Sequence, residues 1–206
     1  IESMYEHIKF KNAINMRKAN YDKFPSTKLT GMLVQGWDSI ISMLKKKMDA
    51  RKVLAVDLYT GVYEEEVLDA FSKEFSGRVM NVRDLMKPEK EIQTLTERFM
   101  TEDVLFGYVT NLKLEDYLDA DKVAAARKQI SEAKETIVII GTGAAVVAPQ
   151  DAMVVYADMA RWEIQQRFRR HEVKALGIDN RNDAVSLQYK RGYFNDWRVC
   201  DRYKER

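Results

Sequence analysis

The chain has one cysteine, Cys200, and two histidines, His7 and His171. One thiol closes no disulfide within the chain, so nothing suggests secretion and a cytoplasmic setting is expected. Two isolated histidines do not supply the clustered ligands of a zinc enzyme, and no metal site is expected. Only 3 prolines and 9 glycines are spread over 206 residues, which leaves no long linker and no low-complexity tract. No apolar run approaches the roughly 20 residues of a bilayer crossing, so no membrane partner is expected. Residues 1–20 are mixed and charged, without the apolar centre of a signal peptide. Net charge is also small, because 34 Lys and Arg against 32 Asp and Glu leave +2. A dedicated nucleic-acid binder carries a strongly basic face, and nucleic acid is not expected as a partner.

What remains is a chain of 46% hydrophobic and 32% charged residues, which fits a folded domain and not a disordered one. Its length suits one α/β domain with a real core. Pro25 disfavours helix at Phe24, and residues 1–30 are expected as an arm ahead of a single domain over 31–206. Within that domain, Trp37, Ile40, Ile41, Leu44 and Met48 recur at helical spacing. Val53 to Leu58 is an apolar run of strand length, as a strand buried on both faces requires. Helices are expected over Glu64 to Phe75 (closed by Gly77), Glu89 to Phe99, and Leu114 to Lys134 with a break near Asp119. Strands are expected over Arg78 to Val82, Thr136 to Ile140 and Ala152 to Tyr156, the last two as buried strands. An extended piece is expected over Val104 to Val109, a long helix over Ala160 to Ala175, and helix again over most of Leu187 to Tyr203.

Strands that alternate with helices indicate a mostly parallel sheet with helices on both faces. Ligands of such folds sit at the carboxyl ends of the strands. Three loops then matter: Tyr59 to Tyr63, Arg83 to Pro88 and Gly141 to Gly143. The first would carry GxxxxGK[ST] in a phosphate-binding loop, where amides cradle phosphate, Lys neutralises it and Ser/Thr meets magnesium. Here it reads Asp57-Leu58-Tyr59-Thr60-Gly61-Val62-Tyr63, then Glu64-Glu65-Glu66. One glycine is left and no lysine follows. The glutamates suit the helix dipole and repel phosphate. They point around the helix rather than at one place, which argues against a metal held between them and Asp57. Gly141-Thr142-Gly143 is the stronger anion candidate, weighed against a tight turn with close packing. Arg161, Arg167, Arg169 and Arg170 are candidate phosphate forks, weighed against a solvated face paired to glutamates. Trp162, Phe168 and Ile164 or Gln165 would form the buried stripe of that helix. In the tail, Tyr193, Trp197 and Cys200 are expected to pack on a core or on a following domain.

Several stretches resemble proteins identified as class I mannose-6-phosphate isomerases of the Bacteroides type. These are Tyr21 to Pro25, Tyr59 to Val62, Asp151 to Arg170 and Tyr189 to Arg198. The resemblance runs from about Tyr21 to the end. It implies a region that precedes a zinc-dependent isomerase domain and is itself similar to uridine-kinase-like P-loop domains, with a three-layer architecture. Val154 to Arg170 would match the strand and the arginine-rich helix near the kinase lid. The zinc site of the isomerase is not matched, and the kinase motif fails at Gly-Lys-Ser/Thr. The resemblance therefore implies a degenerate kinase-like domain in sugar-phosphate metabolism, regulatory or phosphoryl-binding rather than catalytic. The partners it implies are a phosphorylated sugar or a nucleotide with magnesium, and a C-terminal isomerase domain. An active small-molecule kinase with an atypical loop is the first alternative. A structural module for docking or homo-oligomers is the second.

Overall fold

A computed structural model describes residues 21–22, 25–28 and 30–205. The chain divides into two units, residues 1–34 and 35–206. The expected arm over 1–30 falls within the first unit, and most of it, with His7, lies outside the described residues. The described part of that unit has neither helix nor strand.

The second unit is an α/β domain. Its elements run α1 (Trp37–Met48), β1 (Val53–Leu58), α2 (Glu64–Glu74), β2 (Arg78–Asn81), α3 (Glu89–Met100), α4 (Ala120–Glu132), β3 (Ile137–Gly141), α5 (Ala144–Val147), β4 (Met153–Ala157), α6 (Arg161–Arg169), α7 (Val185–Arg191) and α8 (Trp197–Lys204). Short 3-10 turns cover Val82–Leu85 and Leu114–Tyr117, and a π turn over Gly192–Asp196 joins α7 to α8. The four strands pair in parallel in the order β2-β3-β1-β4.

The two-residue period of β1 sorts the core. Leu54, Val56 and Leu58 face α1 and α2, with Ile41, Leu44, Val67 and Phe71. Val53 and Ala55 face the opposite layer, with Ile130 of α4, Val147 of α5, Ile164 of α6 and Trp197 of α8. Each face therefore carries helices, and β1 is buried along its whole length. Strands buried on both faces lose the polar alternation of half-exposed ones. Asp57 follows Val53 and Ala55 in that period, so its carboxylate enters the α8 side of the sheet.

Several elements depart from the sequence reading. β4 is an edge strand bonded to β1 alone, and Val154 is 53% exposed. The helix expected over Ala160 to Ala175 stops at Arg169, because His171 adopts φ 56°, a left-handed value that ends a helix. Ile164 and Phe168 are buried as expected, but Trp162 is 68% exposed. α2 ends at Phe75 in extended backbone, so Gly77 lies beyond the cap. The expected extended piece over Val104 to Val109 begins in a bend at Val104 and Leu105, whereas the break at Asp119 is present, with Asp119 accepting from the N–H groups of Asp121 and Lys122.

Candidate functional site

The path from β1 to β2 passes over β3, and the path from β3 to β4 passes back over β1. The loops after β1 and β3 diverge, so the switch-point crevice lies at the carboxyl ends of these two strands. Asp57 stands there, fully buried. Its Oδ1 accepts from Gly143 N–H at 3.0 Å, and its Oδ2 from Ala145 N–H at 2.9 Å and from the Tyr203 hydroxyl. The chain thus places its own carboxylate on amides of the expected anion loop. Burial raises the Asp57 carboxyl above the ordinary range, and the bonds from Tyr203, Ala145 and Gly143 oppose that rise.

Residues of α8 complete the closure. Asp201 accepts from the Tyr59 hydroxyl at 2.6 Å and from Arg161 Nη2 at 2.9 Å, and Arg161 also donates to Tyr59 Oη at 3.0 Å. The Arg161 guanidinium lies 4.5 Å from the Trp197 ring centre, a cation–π contact. Lys204 pairs with Asp158 and lies 5.6 Å from the Tyr156 ring centre. Burial raises the hydroxyls of Tyr59, Tyr156 and Tyr203, and carboxylate neighbours add to the shift. All three stay protonated at neutral pH, so none is a ready base.

The loop after β1 is filled in the same way. Gly61 has φ 93°, and a Cβ there would meet Cγ1 of Ile164 at 2.8 Å. The space beside this glycine holds a buried isoleucine of α6. Gly61 O accepts from Arg167 Nη1 at 2.8 Å. Thr60 lines a small cleft with Arg83, Thr142 and Lys174, whose free volume is about 30 Å³, room for about one water. The three glutamates that open α2 go to three partners: Glu64 to Arg83 at 3.0 Å, Glu65 to Lys174 at 2.6 Å and Glu66 to the Trp37 indole at 2.8 Å. Lys174 holds the Glu65 carboxyl below the usual range. Residues 172–176 line the same cleft, with Glu172 bound by Tyr63 and Arg170.

The candidate arginines divide. Arg161 reaches the crevice, engaged by Asp201. Arg167 bonds Glu163 and lies over the Tyr63 ring at 3.6 Å. Arg170 pairs with Glu163 and Glu172, and among the described residues Arg169 reaches only Gln166 Oε1, at 3.4 Å. The structure thus brings Asp57, Tyr59, Gly143 and Arg161 together, and seats Thr60, Gly61 and Thr142 at the neighbouring cleft.

Arg83 opens the second of the three loops expected to matter, whereas Tyr203, Asp201, Lys204 and Lys174 escaped the sequence reading. For Tyr203 a signal existed. Trp197 and Cys200 are both buried, and a step of three from Cys200 along a helix keeps the same face and reaches Tyr203. Nothing local in the sequence marks Lys174.

Among the described residues, no three His, Cys, Asp or Glu side chains gather as a metal site, and no helix is long and apolar enough to cross a membrane. No curated protein matches the chain. Residues 36–206 match the family described as "Domain of unknown function (DUF8485)", and the chain belongs to that family.

Proposed function

We propose that the chain is a non-catalytic, P-loop-kinase-like domain, with a regulatory or docking part in a larger mannose-6-phosphate-isomerase-like protein of sugar-phosphate metabolism. One observation carries the reading: Asp57 occupies the Gly143 and Ala145 amides while Tyr203 and Asp201 of α8 close the crevice. A phosphoryl ligand there would face a carboxylate, and phosphoryl transfer depends on positive charge at that point. The parallel order β2-β3-β1-β4, with the degenerate loop after its central strand, supports the kinase likeness. The docking part draws on apolar side chains left exposed between Val104 and Val109.

The test is titration calorimetry and turnover with the purified chain, using ATP and hexose phosphates with and without magnesium. Neither magnesium-dependent nucleotide binding nor turnover is expected. Either one would overturn the reading and return the active kinase to first place.

A further inference from the structure

The strands that end at the closed crevice begin at an open cleft. It lies at the amino ends of β1, β3 and β4 and holds about 1030 Å³. Val53, Ile130, Ile137 and Val147 are buried and form its floor. Four cations line it, Lys47, Arg51, Lys52 and Arg127, together with three carboxylates, Asp49, Glu135 and Asp151. All of these charged residues are exposed. Arg127 Nη2 donates to Val146 O at 2.7 Å. None of them joins an ion pair among the described residues, whose ion pairs all lie elsewhere. Part of the charge serves the fold. α1 and α4 end here, and Lys47 in the last turn of α1 complements the negative end of the helix dipole. Arg51 and Lys52 lie past that helix, in the link to β1.

We infer that this cleft binds a phosphorylated polyol, of which a sugar phosphate is the simplest kind. Guanidinium and ammonium groups suit a phosphate. Carboxylates outside any ion pair accept from hydroxyl groups. A ligand with a phosphate at one end and several hydroxyls at the other satisfies both sets, whereas inorganic phosphate leaves the carboxylates facing an anion. No Phe, Tyr or Trp lines the cleft, so a nucleotide base finds no ring to stack on. An acyl chain would bury the carboxylates without giving them a donor. The volume lies near the top of the range for small-molecule sites, about 300–1,000 Å³. The inference gives the regulatory part of the proposed function its ligand: with the usual ligand end closed by the domain's own side chains, the opposite end does the sensing. It rests on that reading, and the two fail separately. Magnesium-dependent turnover would sink the reading, whereas the binding below needs neither magnesium nor nucleotide.

The test is titration calorimetry of the chain at fixed ionic strength without magnesium, with glucose 6-phosphate, sorbitol 6-phosphate, glucose, inorganic phosphate and AMP as probes. At least one of the two phosphorylated polyols is expected to bind saturably, about tenfold or more tighter than the other three probes. Arg51→Glu is expected to keep the circular dichroism spectrum and to weaken that binding about tenfold or more. Lys46→Glu makes the same charge change outside the cleft and is expected to leave the affinity within about twofold. Asp151→Ala with Glu135→Ala is expected to bring the phosphorylated polyol down to the affinity of inorganic phosphate. Vesicles that carry phosphatidylinositol phosphate present the same chemistry as a lipid headgroup, and binding to them alone, without the free esters, would overturn the inference. So would the absence of saturable binding by either phosphorylated polyol, inorganic phosphate that binds as tightly, or an equal loss in Lys46→Glu and Arg51→Glu.

Discussion

At the carboxyl ends of β1 and β3, Asp57, Tyr59, Arg161, Asp201 and Tyr203 all bond to one another or to nearby backbone. Along residues 106–112, half of the main chain faces away from the body, beside exposed apolar side chains. The first region is where a parallel α/β fold ordinarily receives its ligand. The second is a connection between a helix and a 3-10 turn. Polar groups bonded from within must give up a partner before they can take a ligand, whereas unpaired amides beside apolar side chains are available to another strand. The polar groups at the carboxyl ends of β1 and β3 are bonded within the domain, whereas the main chains of Gly107, Val109 and Asn111 take no backbone partner among the described residues.

The contrast breaks most visibly at Asp57. Asp57→Ala leaves two amides and a hydroxyl without an acceptor in a buried place, and stability in urea is expected to fall by about 4 kcal/mol. Asp57→Asn separates shape from charge. Because burial raises the folded-state value of this carboxyl, the folded chain keeps the proton longer than the unfolded one. The contribution is fully present below the unfolded value, about 3.9, and is lost as pH rises through the folded value. The cost of Asp57→Asn is therefore expected to be largest in acid and to shrink across that window. A gap that widens with rising pH would refute the assignment.

Gly61→Ala tests whether the loop after β1 is packed rather than open. A methyl group must push on Ile164 at a positive φ, and a loss of about 2 kcal/mol in the same denaturation series is expected. A loop kept open for phosphate would show no steric part of this cost. Tyr203→Phe removes one donor and keeps the ring, with an expected loss of about 1 kcal/mol. It also removes a bond that lowers the Asp57 carboxyl, so the acid window of that residue should move upward. Leu105→Ser lies at the other pole. Its side chain is 67% exposed, and its thermal midpoint should correspond to a change within about 0.5 kcal/mol.

Much of the fold was legible because period and burial agree. β1, α1 and α3 lie within a few residues of their sequence bounds, and the break at Asp119 follows from a side chain that caps its own helix. Strand order was not legible, since periodicity does not say which strand lies at an edge, and β4 was therefore expected to be buried. The end of α6 was missed because no glycine or proline marks it, and the left-handed turn falls on His171. Within the site, the glutamates of α2 were legible as diverging, and they do diverge. Gly61 was read as the remnant of a loop unsuited to phosphate, and the space beside it holds Ile164, from a helix about 100 residues further on. That Tyr203 shares the buried face of Trp197 and Cys200 was legible from helical spacing, but its pairing with Asp57 was not, since the two lie on different elements.

Tyr203 meets Asp57 across 146 residues of chain. Closing so long a loop carries an entropy cost that short-range contacts avoid, and contacts of this span form late in folding. During synthesis the sheet can be complete while α8 is still inside the ribosome, because β4 ends at Ala157. Until Tyr203 emerges, Asp57 lacks its third donor and the crevice stands open to water. Translation speed between Ala157 and Tyr203 therefore bears on how long the nascent domain exposes the polar groups that the folded one hides.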